Sequence, residues 1–342
     1  MRFFVWDYEG LIDRSREAIA AFANANSADL VFVPNATAGV NSVLRSLDLR
    51  PGDELLTTSH EYNASRNALD FVAERAGAIV VVADIPFPIE SANQVVESVL
   101  SKVTDKTRLL LIDHVTSQTG LVLPIEPIIS KLNAQGIDTL VDGAHAPGML
   151  PLDLKKLGAT YYTGNVHKWM SAPKSAAFLV VDRARQSQIR PLAISHGANS
   201  SRQDRSRFQL EFDWTGTADP SPILSIPKAI DYLSSLLPGG WLELMQHNRK
   251  LAIAGRNLLC DALKISPPCP EEMLGAMAAI SLPDGDCESL YGKLVNRFSI
   301  QVQLQAWPRS PQRILRISAQ LYNQLADYEY LANALQEILN EA

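Results

Sequence analysis

The sequence predicts an α/β protein with a large domain over residues 1–238, built on a mostly parallel sheet sandwiched by helices, and a smaller α+β domain over residues 239–342. Three observations predict this. Short apolar runs alternate with amphipathic stretches through the first two thirds of the chain, the pattern of strand–helix–strand units. The alternation stops at Pro238-Gly239-Gly240, a turn signal. Beyond it, two long helical patterns flank short strand-like segments.

Taken in order, Asp29 to Val33 reads as a strand, followed by the turn Pro34-Asn35-Ala36-Thr37 and a helix from Ala38 to Leu47, with Val40, Val43, Leu44 and Leu47 on one face. A second unit begins with the strand Glu54 to Thr58, continues in a helix from Ala64 to Arg75, and ends in the strand Ala78 to Ala83. The third runs from Arg108 to Val115, through a helix from Pro124 to Ala134, to a strand from Thr139 to Val141. A further strand, Ala176 to Val181, follows. Strands spaced by helices of this length imply parallel pairing with right-handed crossovers. In the C-terminal part, helices are predicted over Trp241 to Lys264 and Asn323 to Leu339, and strands over Ala276 to Leu282, Ile300 to Leu304 and Ile314 to Ile317. The segment Ser195 to Arg207, rich in Ser and Arg, reads as a long mobile loop.

Composition excludes several classes of function. The 342 residues are 46% apolar and 20% charged, enough to bury a large core in two domains. A net charge of −6 without a basic block argues against a nucleic-acid partner. No apolar run approaches the ~18 residues needed to span a bilayer, and Met1 to Glu9 has no signal-peptide pattern. The three cysteines, Cys260, Cys269 and Cys287, match no zinc motif, and their odd number argues against a disulfide framework, so a reducing cytoplasm is expected.

The chemistry is carried by two runs. Thr139-Leu140-Val141-Asp142-Gly143-Ala144-His145 places an Asp at the end of an apolar strand, and Tyr162-Thr163-Gly164-Asn165-Val166-His167-Lys168-Trp169 follows shortly after. A lysine can hold a carbonyl cofactor as a Schiff base. An acidic partner can keep a pyridine nitrogen protonated so that the ring withdraws electrons from a carbanion. Together Lys168 and Asp142 read as a pyridoxal 5'-phosphate site. A phosphate needs a helix N-terminus or clustered donors. Three candidate sets exist: Asn35-Ala36-Thr37 opening a helix, Asn165 with His167, and the turn Trp214-Thr215-Gly216-Thr217. A zinc site from Asp142, His145 and His167 lacks the accompanying spacing of known motifs, so no metal is expected. A serine hydrolase is disfavoured because no GxSxG run exists.

In these runs the chain resembles the class V aminotransferase family of fold-type I pyridoxal-phosphate enzymes, and within it the isopenicillin N epimerase-like branch. The motifs that carry the resemblance are PNATAGVN from Pro34, HEYNA from His60, VDGAHAPGM from Val141, YTGNVHKW from Tyr162 and WTGTADPSP from Trp214. The resemblance covers almost the whole chain and implies a homodimer with its site at the subunit interface, acting on a small amino-acid-like substrate. It implies that Lys168 forms the Schiff base and moves the Cα proton, that Asp142 holds the pyridine nitrogen, and that His145 approaches the ring O3' atom. Tyr62 would stack on the ring, and Ser117 would lie beside it. Thr37, the Ala36 amide, Asn165 and His167 would bind phosphate, with Gly216 and Thr217 reaching it from the partner. Arg316 would clamp the substrate carboxylate, a task suited to its planar fork.

The expected reaction is epimerisation at Cα. A C–S lyase acting on cysteine or a derivative, or an aminotransferase, is the alternative, and a binding subunit that has lost its chemistry is the third reading. Two departures from the family pattern bear on this. Relatives in the branch carry an Asn-Gly-rich stretch ahead of the segment that matches Met1 onward, so a wall on the substrate side is expected to be absent or supplied differently. No Cys lies between Ser299 and Arg316, where related desulfurases keep a thiol, which disfavours a persulfide-forming desulfurase.

Overall fold

The computed structural model describes residues 2–341. After α1 (Tyr8–Phe22) the chain runs β1 (Leu30–Val33), α2 (Ala36–Leu44), β2 (Glu54–Thr58), α3 (Asn63–Ala76), β3 (Ile79–Ala83), α4 (Ala92–Leu100), β4 (Thr107–Asp113), α5 (Ile125–Asn133) and β5 (Asp138–Gly143). It continues through α6 (Leu154–Leu157), β6 (Tyr161–Asn165), β7 (Ala177–Val181), α7 (Arg207–Asp213), α8 (Ser221–Leu224) and α9 (Ile226–Ser234). The remaining elements are α10 (Gly240–Leu263), β8 (Met277–Leu282), α11 (Cys287–Phe298), β9 (Gln303–Ala306), β10 (Arg313–Ser318) and α12 (Leu325–Asn340).

Seven strands form one sheet in the order β1-β7-β6-β5-β4-β2-β3. Its strands are apolar on both faces, so successive residues feed opposite cores. In β4, Leu110 and Ile112 enter the cluster packed by α1, α4 and α5, whereas Leu109 and Leu111 enter the one packed by α2 and α3. A second, antiparallel sheet has the order β8-β10-β9. Its Ala278, Ile280, Leu315 and Ile317 join the first of those clusters together with Leu259 of α10 and Leu335 of α12. The expected α/β class therefore holds.

Several expectations need correction. Pairing is not uniformly parallel: β7 runs antiparallel to both β6 and β1, so β1 points the same way as the parallel strands. The chain from β6 to β7 is a loop of 11 residues, too short for the crossover helix that parallel neighbours require. Tyr161 to Asn165, for which the sequence reading assigns no strand, is the buried strand β6. The strand predicted from Ile300 begins instead at Gln303. The Ser195–Arg207 segment contains a short 3-10 turn at His196–Asn199 and is tied to α1 by Arg202–Glu9 and Arg205–Asp13 ion pairs.

All the parallel strands and β1 end at one edge of the large sheet, and side chains gathered there have rigid supports. One support is the close approach of α2 to β6. A Cβ at Gly39 would overlap the Thr163 side chain, whose Cβ lies 2.8 Å away, and Thr163 is fixed by its own bond to the Phe178 carbonyl at 2.9 Å. Gly39→Ala is thus expected to destabilise the fold by about 1–3 kcal/mol, as overpacking does. Denaturant unfolding that shows no loss would mean that α2 can move away from the sheet freely.

Candidate active site

The carboxyl edge of the sheet collects the site. Asp142 ends β5 and is buried, accepting hydrogen bonds from Ser65 Oγ at 2.9 Å and from the Ala144 amide at 3.0 Å. Burial raises its pKa, opposed by those two donors and by Lys168 whenever that amine is protonated. Lys168 stands just beyond β6, opening on one side to the cleft. Burial on its other sides lowers its ammonium pKa, with Arg316 acting the same way and Asp142 and Asp113 the opposite way.

The contacts of His145 fix the protonation of this group. Trp169 Nε1–H, which can only donate, points at His145 Nδ1 at 3.3 Å, so the neutral ring carries its proton on Nε2. That nitrogen is 3.0 Å from Lys168 Nζ, which must then accept as a free amine. Burial, followed by the ammonium form of Lys168 and the Arg316 charge, holds the His145 pKa well below its ordinary value. An uncharged amine facing a cleft is a nucleophile and a base.

Among the expected phosphate ligands, the Ala36 amide donates to Asn165 Oδ1 at 2.8 Å. Asn165 thus ties β6 to the start of α2, and in this arrangement the Ala36 amide is already engaged. Thr37 lies in the first turn of α2, half-buried. Asn35, not Thr37, is the N-cap, accepting from the Ala38 amide at 2.8 Å. His167 Nδ1 lies 2.8 Å from the Ala176 carbonyl and must donate to it. Its Nε2 is then an acceptor in the neutral ring, and binding phosphate through it requires the imidazolium. Gly216 and Thr217 occupy an exposed loop, Gly216 at φ +124°, a conformation that favours glycine.

Tyr62 is the N-cap residue of α3 and is 42% exposed, so it is not a core residue. Its neighbour His60 is structural. The buried ring pairs with Thr119 Oγ1 at 2.9 Å and the Ile85 carbonyl at 3.1 Å, and burial lowers its pKa to about 4. Arg316 projects from β10 and donates through Nη1 to the Ser117 carbonyl, which joins the small sheet to the loop after β4. Its Nε is buried without a hydrogen-bond partner. Such a guanidinium is ready for an anion.

Sequence reasoning missed the groups behind Asp142. Asp113 ends β4 in register with Asp142 on β5, and Glu61 follows β2. The carboxyls of Glu61, Asp113 and Asp142 approach within 4.8 Å of one another, all buried. Two charges at that spacing repel by roughly 3–4 kcal/mol at an effective dielectric of about 20, so burial and mutual repulsion raise the pKa values of Glu61 and Asp113 well above the ordinary range. The sequence carries one weak signal, that Asp113, like Asp142, closes an apolar run; its partners across the sheet are not written there. Asp142, His145 and His167 do not themselves bring ligand atoms together within that distance.

The family model for aminotransferase class V matches residues 4–331. The chain is 35% identical over 343 residues to the isopenicillin N epimerase of Amycolatopsis lactamdurans, with 96% of this chain and 85% of the relative covered. It is 29% identical to putative L-cysteine desulfhydrase 1 of Oryza sativa subsp. japonica, over 95% of this chain and 74% of that protein. Among solved structures it is similar to the cystine C–S lyase C-DES in complex with cysteine persulfide, at a TM-score of 0.78 and 21% identity, covering 96% of this chain and 86% of the other. The fold and its carboxyl-edge lysine and aspartate are those of an α/β enzyme. The chain belongs to the class V aminotransferase family.

Proposed function

We propose that this family member uses pyridoxal 5'-phosphate to act at the Cα of a small amino acid or amino-acid-like substrate, as an epimerase of the isopenicillin N epimerase kind. The observation that carries the reading is the Lys168 amine, 3.0 Å from His145 Nε2 while Trp169 Nε1–H takes His145 Nδ1, at the same sheet edge as the buried Asp142 carboxyl. The donor set fits the cofactor. A free amine suits its carbonyl, a buried carboxyl its ring nitrogen, an exposed Tyr62 ring its face, and the start of α2 its phosphate.

Bound there, the cofactor would supply an electron-withdrawing ring that stabilises negative charge on the substrate Cα. Asp142 would keep a proton on the ring nitrogen, and Lys168 would hold the cofactor covalently and then take the Cα proton at Nζ. His145 would orient that amine and approach the ring oxygen, with Ser117 beside the ring. Thr37, the Ala36 amide, Asn165 and protonated His167 would hold the phosphate. The Ala36 amide can do so only once Asn165 Oδ1 releases it. Gly216 and Thr217, exposed in one subunit, would complete the phosphate site of the other in a cytoplasmic homodimer.

Arg316 would take the substrate carboxylate. A charge-assisted pair of this kind contributes about 1.5–3 kcal/mol, so Arg316→Ala should weaken amino-acid binding about 10- to 150-fold with cofactor content unchanged. Lysine should restore only part, lacking the fork. Loss of cofactor in step with substrate affinity would make Arg316 a structural residue that ties β10 to Ser117.

A C–S lyase reaction on cysteine or a derivative is the second reading, favoured by the desulfhydrase relative, and transamination the third. Retention of Lys168, Asp142 and Arg316 together argues against a binding subunit without chemistry. Both leading reactions begin with proton removal by Lys168, so solvent deuterium exchange at Cα cannot choose between them. Products can. Accumulation of the inverted centre on an intact carbon skeleton supports epimerisation, whereas pyruvate with ammonia and free sulfide or thiol, without any inverted product, moves the assignment to lyase.

A further inference from the structure

We propose that Glu61 and Asp113 are positioning residues that stay uncharged behind Asp142, so that the three-carboxyl cluster carries a single negative charge, placed on the member that faces the cofactor nitrogen. The proposal rests on the cofactor reading for its purpose, but not for its charge assignment. That assignment follows from how unequally the three acids are provided with donors. Asp142 receives two hydrogen bonds, from Ser65 and the Ala144 amide. Glu61 receives one side-chain bond, from Thr57 Oγ1 at 3.2 Å, and its Oε1 is buried with no partner. Asp113 Oδ2 is likewise buried without a partner.

A carboxylate is an acceptor on both oxygens, and an orphaned oxygen in a dry site costs far more charged than neutral. Of three acids within 4.8 Å, the ionised one is therefore the one with donors on both oxygens. The surrounding charges do not alter this choice. Lys168 faces Asp142 and Asp113 from beyond β6 and, as a free amine, cannot neutralise a second carboxylate; Arg66 on α3 faces Glu61. Tyr162 on β6, the remaining titratable group facing Asp142, is held in its neutral phenol form by burial. Two neutral acids fill the space behind Asp142 without competing for the pyridinium proton, and the one charge is matched when a protonated ring nitrogen arrives.

The same three acids could instead be ligands, since a divalent cation would ionise all of them. Protonation decides. Infrared difference spectra of the full-length protein at pH 7, in ordinary and heavy water, should contain the carbonyl stretch of buried protonated carboxylic acids. Glu61→Gln and Asp113→Asn should each remove part of it, and Asp142→Asn should not. Because folded pKa values raised by burial mean stability lost as pH rises, the thermal midpoint should fall between about pH 5 and the folded pKa values. Both isosteric variants should flatten that fall, a readout that lost packing alone would not produce.

The proposal is overturned if no protonated-acid band exists at pH 7, or if only Asp142→Asn removes it. It is equally overturned if Mg2+, Mn2+ or Zn2+ binds in calorimetry with heat that Glu61→Gln abolishes. Failure of the protein to take up pyridoxal 5'-phosphate would sink the functional reading while leaving the infrared result to stand by itself.

Discussion

Lys168→Ala should lower turnover by about 10³- to 10⁴-fold, because it removes both the covalent holder of the cofactor and the base that moves the Cα proton. The geometry makes the loss specific. His145 cannot substitute, since its Nδ1 is occupied by Trp169 and its Nε2 carries the proton, leaving no lone pair turned to the cleft. Some cofactor should still bind through its phosphate. Borohydride reduction of the unmodified protein should change its visible band and leave a pyridoxyl group on the peptide that contains Trp169, and the variant should yield no such adduct. Lys174 is the nearest rival in sequence, exposed on the loop before β7. An adduct mapped there would overturn the assignment of Lys168.

Much of this arrangement was legible in the sequence, and the parts that were not share a physical cause. The strands β2, β4 and β5 and the helices α3, α5, α10 and α12 announce themselves through local periodicity, which needs no knowledge of partners. Strand direction is different: β7 is an apolar run like the parallel strands β4 and β5, and only the length of the loop from β6 makes it antiparallel. Tyr161 to Asn165 hides as a strand because its last three residues are polar or small: Thr163 packs against Gly39 of α2, Gly164 lies against Pro147 and Phe178, and Asn165 reaches Ala36. In the candidate site, Lys168, Asp142 and Arg316 could be singled out because each occupies a recognisable run. Glu61 and Asp113 were not, because a carboxyl's role depends on its neighbours across the sheet, and register between β4 and β5 is a property of pairing. The engagement of the Ala36 amide by Asn165 is of the same kind, a contact between residues 129 positions apart.

Asp142→Asn should separate what this residue does for function from what it does for stability. The substitution preserves shape, but leaves one oxygen where two donors converge, and removes the charge that would hold a proton on the ring nitrogen. A hydrogen bond to a charged group contributes about 1.5–3 kcal/mol, so cofactor affinity should fall about 10- to 150-fold. Turnover should fall by about a further 10²-fold, the lower end of what a positioned proton contributes. Stability should respond in the opposite sense. Burial raises the Asp142 pKa in the folded chain, so the folded state holds its proton to higher pH than the unfolded one, and the stability linked to that proton is present at low pH and lost as pH rises. Asn escapes that loss, and the difference in thermal midpoint between variant and unmodified protein, both free of cofactor, should move in the variant's favour as pH rises from the ordinary carboxylate range through the raised folded pKa. Sites that pay in stability for a buried charge are where function is expected. Unchanged cofactor affinity, together with a variant that falls behind at pH 8, would instead make Asp142 a structural acid that ties β5 to Ser65.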